Sequence, residues 1–274
     1  MTWAALQLRA WGAGAMLLGL FAGAAHAQTA RYEPQRDARA GEMVTIPAGD
    51  FVFGATAEDV ERFADHFRVL RSWFRREQPA QRVWLPTFLI EKFEVANRQY
   101  RAFVVATGHR PPGDWTATEY FPGRDDHPVV NVSREDAEAF CRWAGKRLPS
   151  EQEWEKAARG TTPRAFPWGD QITPGEANTV EVGRWDTAPI GSFLADRSPY
   201  GVMDMAGNVS EWVADDYGPY QGFELSAGRL YAKRVGIGRG GNWRTSLLYA
   251  RATNRIPAHS HGHPEQGFRC AASS

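Results

Sequence analysis

Between Ser198 and Trp212 the chain reads Ser-Pro-Tyr-Gly-Val-Met-Asp-Met-Ala-Gly-Asn-Val-Ser-Glu-Trp, and few folds accommodate so many demands in so short a span. Gly201 and Gly207 supply backbone conformations that a Cβ would obstruct. Met203, Met205, Val209 and Trp212 favour burial, while Asp204, Asn208 and Glu211 interleave side-chain oxygens among them. Burying the first set carries the second inward, where a carboxylate without a partner is costly. Two solutions are open. A hard cation such as calcium can gather carboxylates and backbone carbonyls, or arginine and backbone N–H groups can answer the oxygens.

The N-terminus does not read as fold. Residues 1–27 carry one charge, Arg9, then a short apolar run over 13–24 and an Ala25-His26-Ala27 cleavage site, the pattern of a signal peptide. The run is short for a bilayer span, although an uncleaved anchor is the alternative. Export to the periplasm or beyond is expected, with no membrane span after cleavage. Residues 28–41 are polar and patternless, a linker. Lys+Arg and Asp+Glu both total 32, so no global field favours nucleic acid. In an oxidising compartment Cys141 and Cys270, the two cysteines, read as a structural disulfide, with a reactive free thiol as the competing account.

From residue 42 the chain reads as one α+β domain to residue 274. Residues 43–54 alternate apolar and polar and end in glycine, a strand and turn. Thr56 and Asp59 form a capping box, and Val60, Phe63, Phe67, Leu70 and Phe74 continue at helical spacing, predicting about five turns. The basic end of that helix, Arg68 to Arg76, reads as a solvated face or as a contact for an anionic partner. Residues 82–95 read as strand, and Asn97 as the cap of the next helix. Residues 109–127 form a loop. Ser133 with Asp136 and Ser150 with Glu153 cap two further helices, ended by Gly145 and Gly160.

These blocks carry a resemblance. Asp204-Met-Ala-Gly-Asn-Val-Ser-Glu-Trp212, His127-Pro-Val-Val-Asn-Val-Ser133, the run Gly145 to Gly160, Phe166-Pro-Trp-Gly-Asp170 and Gly267-Phe-Arg-Cys270 resemble the formylglycine-generating-enzyme, or sulfatase-modifying-factor, family. That family also contains iron-dependent sulfoxide synthases of ergothioneine biosynthesis and a periplasmic pyoverdine-maturation protein. The resemblance implies an irregular, loop-rich, C-type-lectin-like fold, with which 27 glycines, 17 prolines and 11 tryptophans are compatible. It implies a Cys141–Cys270 disulfide. It also implies a structural calcium held by Asp204, Gly207, Val209 and Glu211, and a second near Asn178 and Thr179, although Val182 stands where a carboxylate ligand is expected.

The same resemblance places the chemistry after Gly240-Gly241. There the family carries two cysteines that hold copper(I), the soft metal thiolates select. Here Thr245 and Ala250 occupy those positions, and Ser210 replaces a motif tryptophan. Asn242, Trp243, Arg244 and Thr245, with Arg251 and Arg255, are the pocket candidates, the two arginines either holding a substrate or pairing with acids. His259, His261 and His263 share a face in an extended segment, and with Glu265 they form a candidate set for iron or copper, or a solvated loop. The expectation is an exported, metal-assisted oxidoreductase or tailoring enzyme acting on a small-molecule or peptide substrate, without the thiolates for formylglycine generation. The alternative is a non-catalytic binding module or accessory subunit with a protein partner.

Overall fold

A computed structural model describes residues 41–221, 235–259 and 261–274. The expected signal peptide and nearly all of the linker lie outside the described residues.

Proline sets the strand lengths. Pro47 divides the expected first strand into β1 (Met43–Ile46) and β2 (Gly49–Phe53), and Pro86 divides the next into β3 (Gln81–Leu85) and β4 (Phe88–Glu91). Lacking an N–H, proline interrupts a ladder. The two halves then join different partners: β1 pairs with β4, while β2 pairs with β3. The opening stretch ends as β5 (Ser210–Asp216), followed among the described residues by β6 (Gly236–Arg239), β7 (Arg255–Ala258), β8 (Gln266–Phe268) and β9 (Ala271–Ser273). Strand β9 completes a β1-β4-β9 sheet, and β7-β6-β5-β8 form another in which only β5 and β8 run parallel.

Among the described residues, four α-helices accompany the sheets: α1 (Ala57–Phe67), α2 (Asn97–Thr107), α3 (Arg134–Trp143) and α4 (Glu151–Arg159). The capping boxes at Thr56, Ser133 and Ser150 form as expected, each hydroxyl accepting the N–H three residues on. Helix α1 is shorter than its periodicity predicts. Arg68 adopts a left-handed conformation (φ 54°), and the chain resumes as a 3₁₀ turn, Arg71–Glu77, so Leu70 is exposed while Phe74 remains buried. The cap of α2 is Ala96 rather than Asn97, with the Gln99 Oε1 accepting the Ala96 N–H.

Cys141 on α3 and Cys270 between β8 and β9 are joined in a disulfide across 129 residues, their Cα atoms 5.7 Å apart. Around it pack Tyr100, Phe103, Phe140, Trp212 and Phe268. A second cluster gathers Trp154, Val202, Met205, Val213 and Ile237. Inside the organising stretch Asp204 (φ 57°), Gly207 (φ 78°) and Asn208 (φ 52°) are left-handed, which turns the chain sharply before β5. Gly207 is required on contact grounds too, because a Cβ there would lie 2.4 Å from the Asn178 carbonyl oxygen.

Candidate functional site

Residues 242–245 are placed by the turn after β6. Gly241 (φ 70°) brings the backbone so near Tyr249 that a Cβ would stand 2.9 Å from its carbonyl carbon. Beyond it, Asn242 Nδ2 donates to Ser210 Oγ (3.0 Å), its backbone N–H donates to Thr245 Oγ1 (2.9 Å), and Trp243 N–H donates to the Asn208 carbonyl (3.1 Å). Three of the expected pocket residues are therefore tied to the organising stretch or to one another. The fourth, Arg244, is exposed and ion-paired to Glu265.

Trp243 lines a cleft of about 250 Å³ whose other walls come from the loop 109–131 and from Asp186–Thr187. Its apolar side is Trp115 and Tyr120, ring centroids 4.9 Å apart, with Phe121 at the mouth. Its polar end is a network. Arg124 Nη1 donates to Asp186 Oδ1 (2.9 Å), to Thr187 Oγ1 (3.1 Å) and to His127 Nδ1 (3.2 Å), and Arg124 Nη2 makes a further short contact to Asp186. Thr187 Oγ1 lies 2.7 Å from the same imidazole nitrogen. Burial pushes the His127 pKa down to about 4, with the Arg124 charge adding to the shift. The ring is therefore neutral near pH 7. Because Arg124 can only donate, Nδ1 is the acceptor and the proton resides on Nε2. Burial opposes ionisation of Asp186, yet the Arg124 hydrogen bond and charge hold its pKa below the usual value.

The indole Nε1–H of Trp243 is buried without a partner. That buried, unanswered donor borders the void, an arrangement that costs free energy and is relieved by a ligand oxygen. The cleft was not foreseen from sequence beyond Trp243. Its loop does bear a signal, in that Trp115, Tyr120, Phe121, Arg124 and His127 concentrate aromatic and ionisable side chains in an irregular segment. Backbone strain gathers here as well, at Ala117 (φ 56°), Asn131 (φ 57°) and Trp185 (φ 58°).

The two remaining pocket candidates are structural. Arg251 is buried, and its guanidinium is held by Glu77 through Nη1–Oε2 (2.6 Å) and Nη2–Oε1 (2.8 Å) and flanked by Phe63 and Phe74. Arg255 opens β7 rather than continuing a helix. Its Nε and Nη2 meet Glu151 at 2.7 and 2.8 Å. Neither arginine is free for a substrate; of the two expected roles, pairing with acids is the one found, with Glu77 and Glu151.

The histidine loop stands at the cleft margin. Pro264 lines the cleft, and the His263 carbonyl accepts the Asn131 N–H (3.0 Å). The rings of His259 and His261 are 6.2 Å apart and those of His261 and His263 5.4 Å, all three exposed. Glu265 is engaged by Arg244, and among the described residues no three His, Cys, Asp or Glu side chains come together to hold an ion. This loop does not fit an iron or copper centre as arranged.

The carboxylates of the organising stretch are answered mainly by one arginine. Glu211 accepts from Arg269 Nε (2.7 Å) and Nη2 (2.6 Å) and from Trp154 Nε1 (2.8 Å), and Asp204 accepts the Gly191 N–H (2.6 Å). Glu94 and Asp196 are buried nearby, and Asn208 Nδ2 donates to Glu94 (2.6 Å). Four carboxylates therefore accompany one guanidinium. Burial pushes Asp204 up to about 6 and raises Glu94 and Asp196, the neighbouring acids adding to both. Such a nest calls for protons or for a further counter-charge, although both Glu211 oxygens are taken by Arg269 and, among the described residues, no three of the acids converge to hold an ion. At the second expected site Asn178 Oδ1 and Thr179 Oγ1 are buried without partners. Neutral oxygens with no carboxylate suit a buried water better than calcium.

Comparison with known proteins agrees with this architecture. Residues 28–274 match the sulfatase-modifying factor enzyme 1-like domain. The chain is 34% identical to the formylglycine-generating enzyme of Thermomonospora curvata, over 88% of this chain and 96% of that one. It is 31% identical to the hercynine oxygenase of Mycolicibacterium smegmatis, over 74% of this chain and 54% of that one. The structure of PvdO from Pseudomonas aeruginosa superposes with a TM-score of 0.66 at 28% identity, covering 85% of this chain and 94% of PvdO. With its α+β, loop-rich fold and family motifs, the chain belongs to the sulfatase-modifying factor enzyme 1-like family, the family of the formylglycine-generating enzymes.

Proposed function

We propose that this protein is an exported tailoring enzyme of oxidoreductase type that holds a small or peptidic substrate in the Trp243 cleft. The observation that carries the reading is the buried, unanswered Trp243 Nε1–H, with the neutral His127 beside it, at one aromatic-walled void. They would bind a substrate carbonyl or carboxylate while Trp115 and Tyr120 take its apolar part. The names of the relatives, a formylglycine-generating enzyme and an oxygenase, favour oxidation as the reaction class. Formylglycine generation through thiolate-bound copper is not proposed. Both cysteines are engaged in the disulfide, and Thr245 and Ala250 stand where the thiols would align. The leader over residues 1–27 and the disulfide support export, and the acid-rich nest around Arg269 supports a structural calcium.

A second reading, a binding module with the same cleft, is favoured by the histidine loop, whose imidazoles do not converge with Glu265. Incubation with peptide and metabolite pools in air, followed by mass spectrometry, separates the two. A product that gains oxygen or loses two hydrogens with the native protein, and not with Trp243→Ala, is expected. Retention of a compound without conversion would establish the binding module instead. Neither retention nor conversion would overturn both.

A further inference from the structure

The Trp243 cleft carries a charge as well as a buried donor, and the charge narrows what can fill it. Arg124, Asp186 and Asp114 are its ionised lining residues. Arg124 is spent on both oxygens of Asp186, and its Nη1 also donates to Thr187 and to the neutral His127. Despite burial, the Arg124 hydrogen bond holds the Asp186 pKa below its usual value, so the pair stays ionised and its charges cancel. Asp114 has no such counterpart. It is exposed where the cleft meets a neighbouring one of about 350 Å³, and it makes no ion pair or hydrogen bond among the described residues. The charges just outside offset one another. Arg244 is paired with Glu265, and Arg110 lies 3.8 Å from Asp136. Arg184, whose Nε donates to the Thr187 carbonyl (3.0 Å), is matched by Asp125, which accepts the Tyr120 hydroxyl (2.7 Å). The carboxylate of Asp114 is left uncompensated.

A ligand carboxylate would be repelled by Asp114 and would find no free guanidinium. The oxygen that answers the buried Trp243 Nε1–H is therefore that of an uncharged carbonyl. Asp114 in turn attracts a cation, and the Trp115, Tyr120 and Phe121 rings of the same cleft supply aromatic surface on which an ammonium is favoured. We propose that the Trp243 cleft selects an amine-bearing carboxamide, its carbonyl oxygen accepting from Trp243 Nε1 and its ammonium pairing with Asp114. This rests on the cleft being the substrate site, and it makes Asp114 the residue that sets specificity there.

The test is isothermal titration with three probes on one skeleton: phenylalaninamide, which has both groups, N-acetylphenylalaninamide, which lacks the charge, and N-acetylphenylalanine, which carries a carboxylate instead. At about pH 6 the amine is protonated and His127 is still neutral. Phenylalaninamide should bind saturably and about three- to tenfold tighter than N-acetylphenylalaninamide, with N-acetylphenylalanine the weakest. Asp114→Asn should erase that preference without weakening the acetylated amide, and Trp243→Phe should weaken every probe that binds. Circular dichroism checks that both variants fold. N-acetylphenylalanine binding as tightly as phenylalaninamide, or a preference that survives Asp114→Asn, overturns the amine-bearing class, while sensitivity to Trp243→Phe keeps the cleft as the site. Binding indifferent to Trp243→Phe, or no saturable binding of any probe, overturns both the class and the cleft.

Discussion

Replacing Arg251 by Met should destabilise the protein severely without any ligand being present. The guanidinium is 2% exposed in its side chain, makes two bonds to Glu77 and lies between Phe63 and Phe74, 4.9 and 4.6 Å from their centroids. Met preserves most of the apolar stem, so the main loss is the counter-charge of a buried carboxylate. Breaking one side of such a pair costs about 3–5 kcal/mol. For a domain of this size that corresponds to a fall of roughly 6–20 °C in melting temperature. Glu77→Leu should cost a similar amount. The double variant should recover much of it, because no unpaired charge remains. The residual loss, about 1–3 kcal/mol, comes from the Leu248 carbonyl and Thr253 hydroxyl that lose their partners. Urea denaturation of the four proteins closes the cycle, with an expected coupling of at least about 3 kcal/mol. If Arg251→Met costs under about 1 kcal/mol, or if the single losses simply add, the pair is not the structural element described and Arg251 returns as a ligand-binding candidate.

Three further outcomes follow from the same geometry. Removing both cysteines should cost about 2–5 kcal/mol in urea denaturation, since the disulfide closes 129 residues, and an unchanged midpoint would contradict that role. The His127 imidazole, followed by its Cε1–H shift, should not titrate near the ordinary 6.5 but only toward 4. The unfolded chain takes that proton first as pH falls, so the contribution of this group is complete above 6.5 and lost between there and 4; a midpoint near 6.5 would refute its burial as neutral imidazole. Calcium should raise the melting temperature more at pH 8 than at pH 5, because Asp204 takes up a proton near 6, and Asp204→Asn should abolish the effect. A melting temperature indifferent to calcium and to chelator at both values would leave Arg269 and protons as the sole counter-charges.

The framework was readable where a local rule had no rival. Thr56, Ser133 and Ser150 each precede an acid by three residues, and each caps a helix because the hydroxyl and carboxylate satisfy backbone N–H groups on the spot. Gly207 was readable for the same reason. Periodicity misled where the backbone departed from the helix that its apolar residues describe, so Arg68 ends α1 although Leu70 and Phe74 continue the spacing. Which of the two roles Arg251 and Arg255 play was not legible, because spacing says nothing of partners 174 and 104 positions away. The cleft was hidden by the same limitation. His127 and Thr187 are 60 positions apart, and only the fold brings them within hydrogen-bonding distance.

The most direct test of the central claim, that the Trp243 cleft takes an acceptor-bearing ligand, is an indole ¹⁵N–¹H spectrum during titration with N-methylacetamide and with acetate. The Trp243 Nε1–H signal, identified by its loss in Trp243→Phe, should move saturably as an oxygen reaches the unpaired donor, and His127→Phe should weaken the response. A Trp243 signal that stays fixed while other indoles respond would place the ligand site elsewhere.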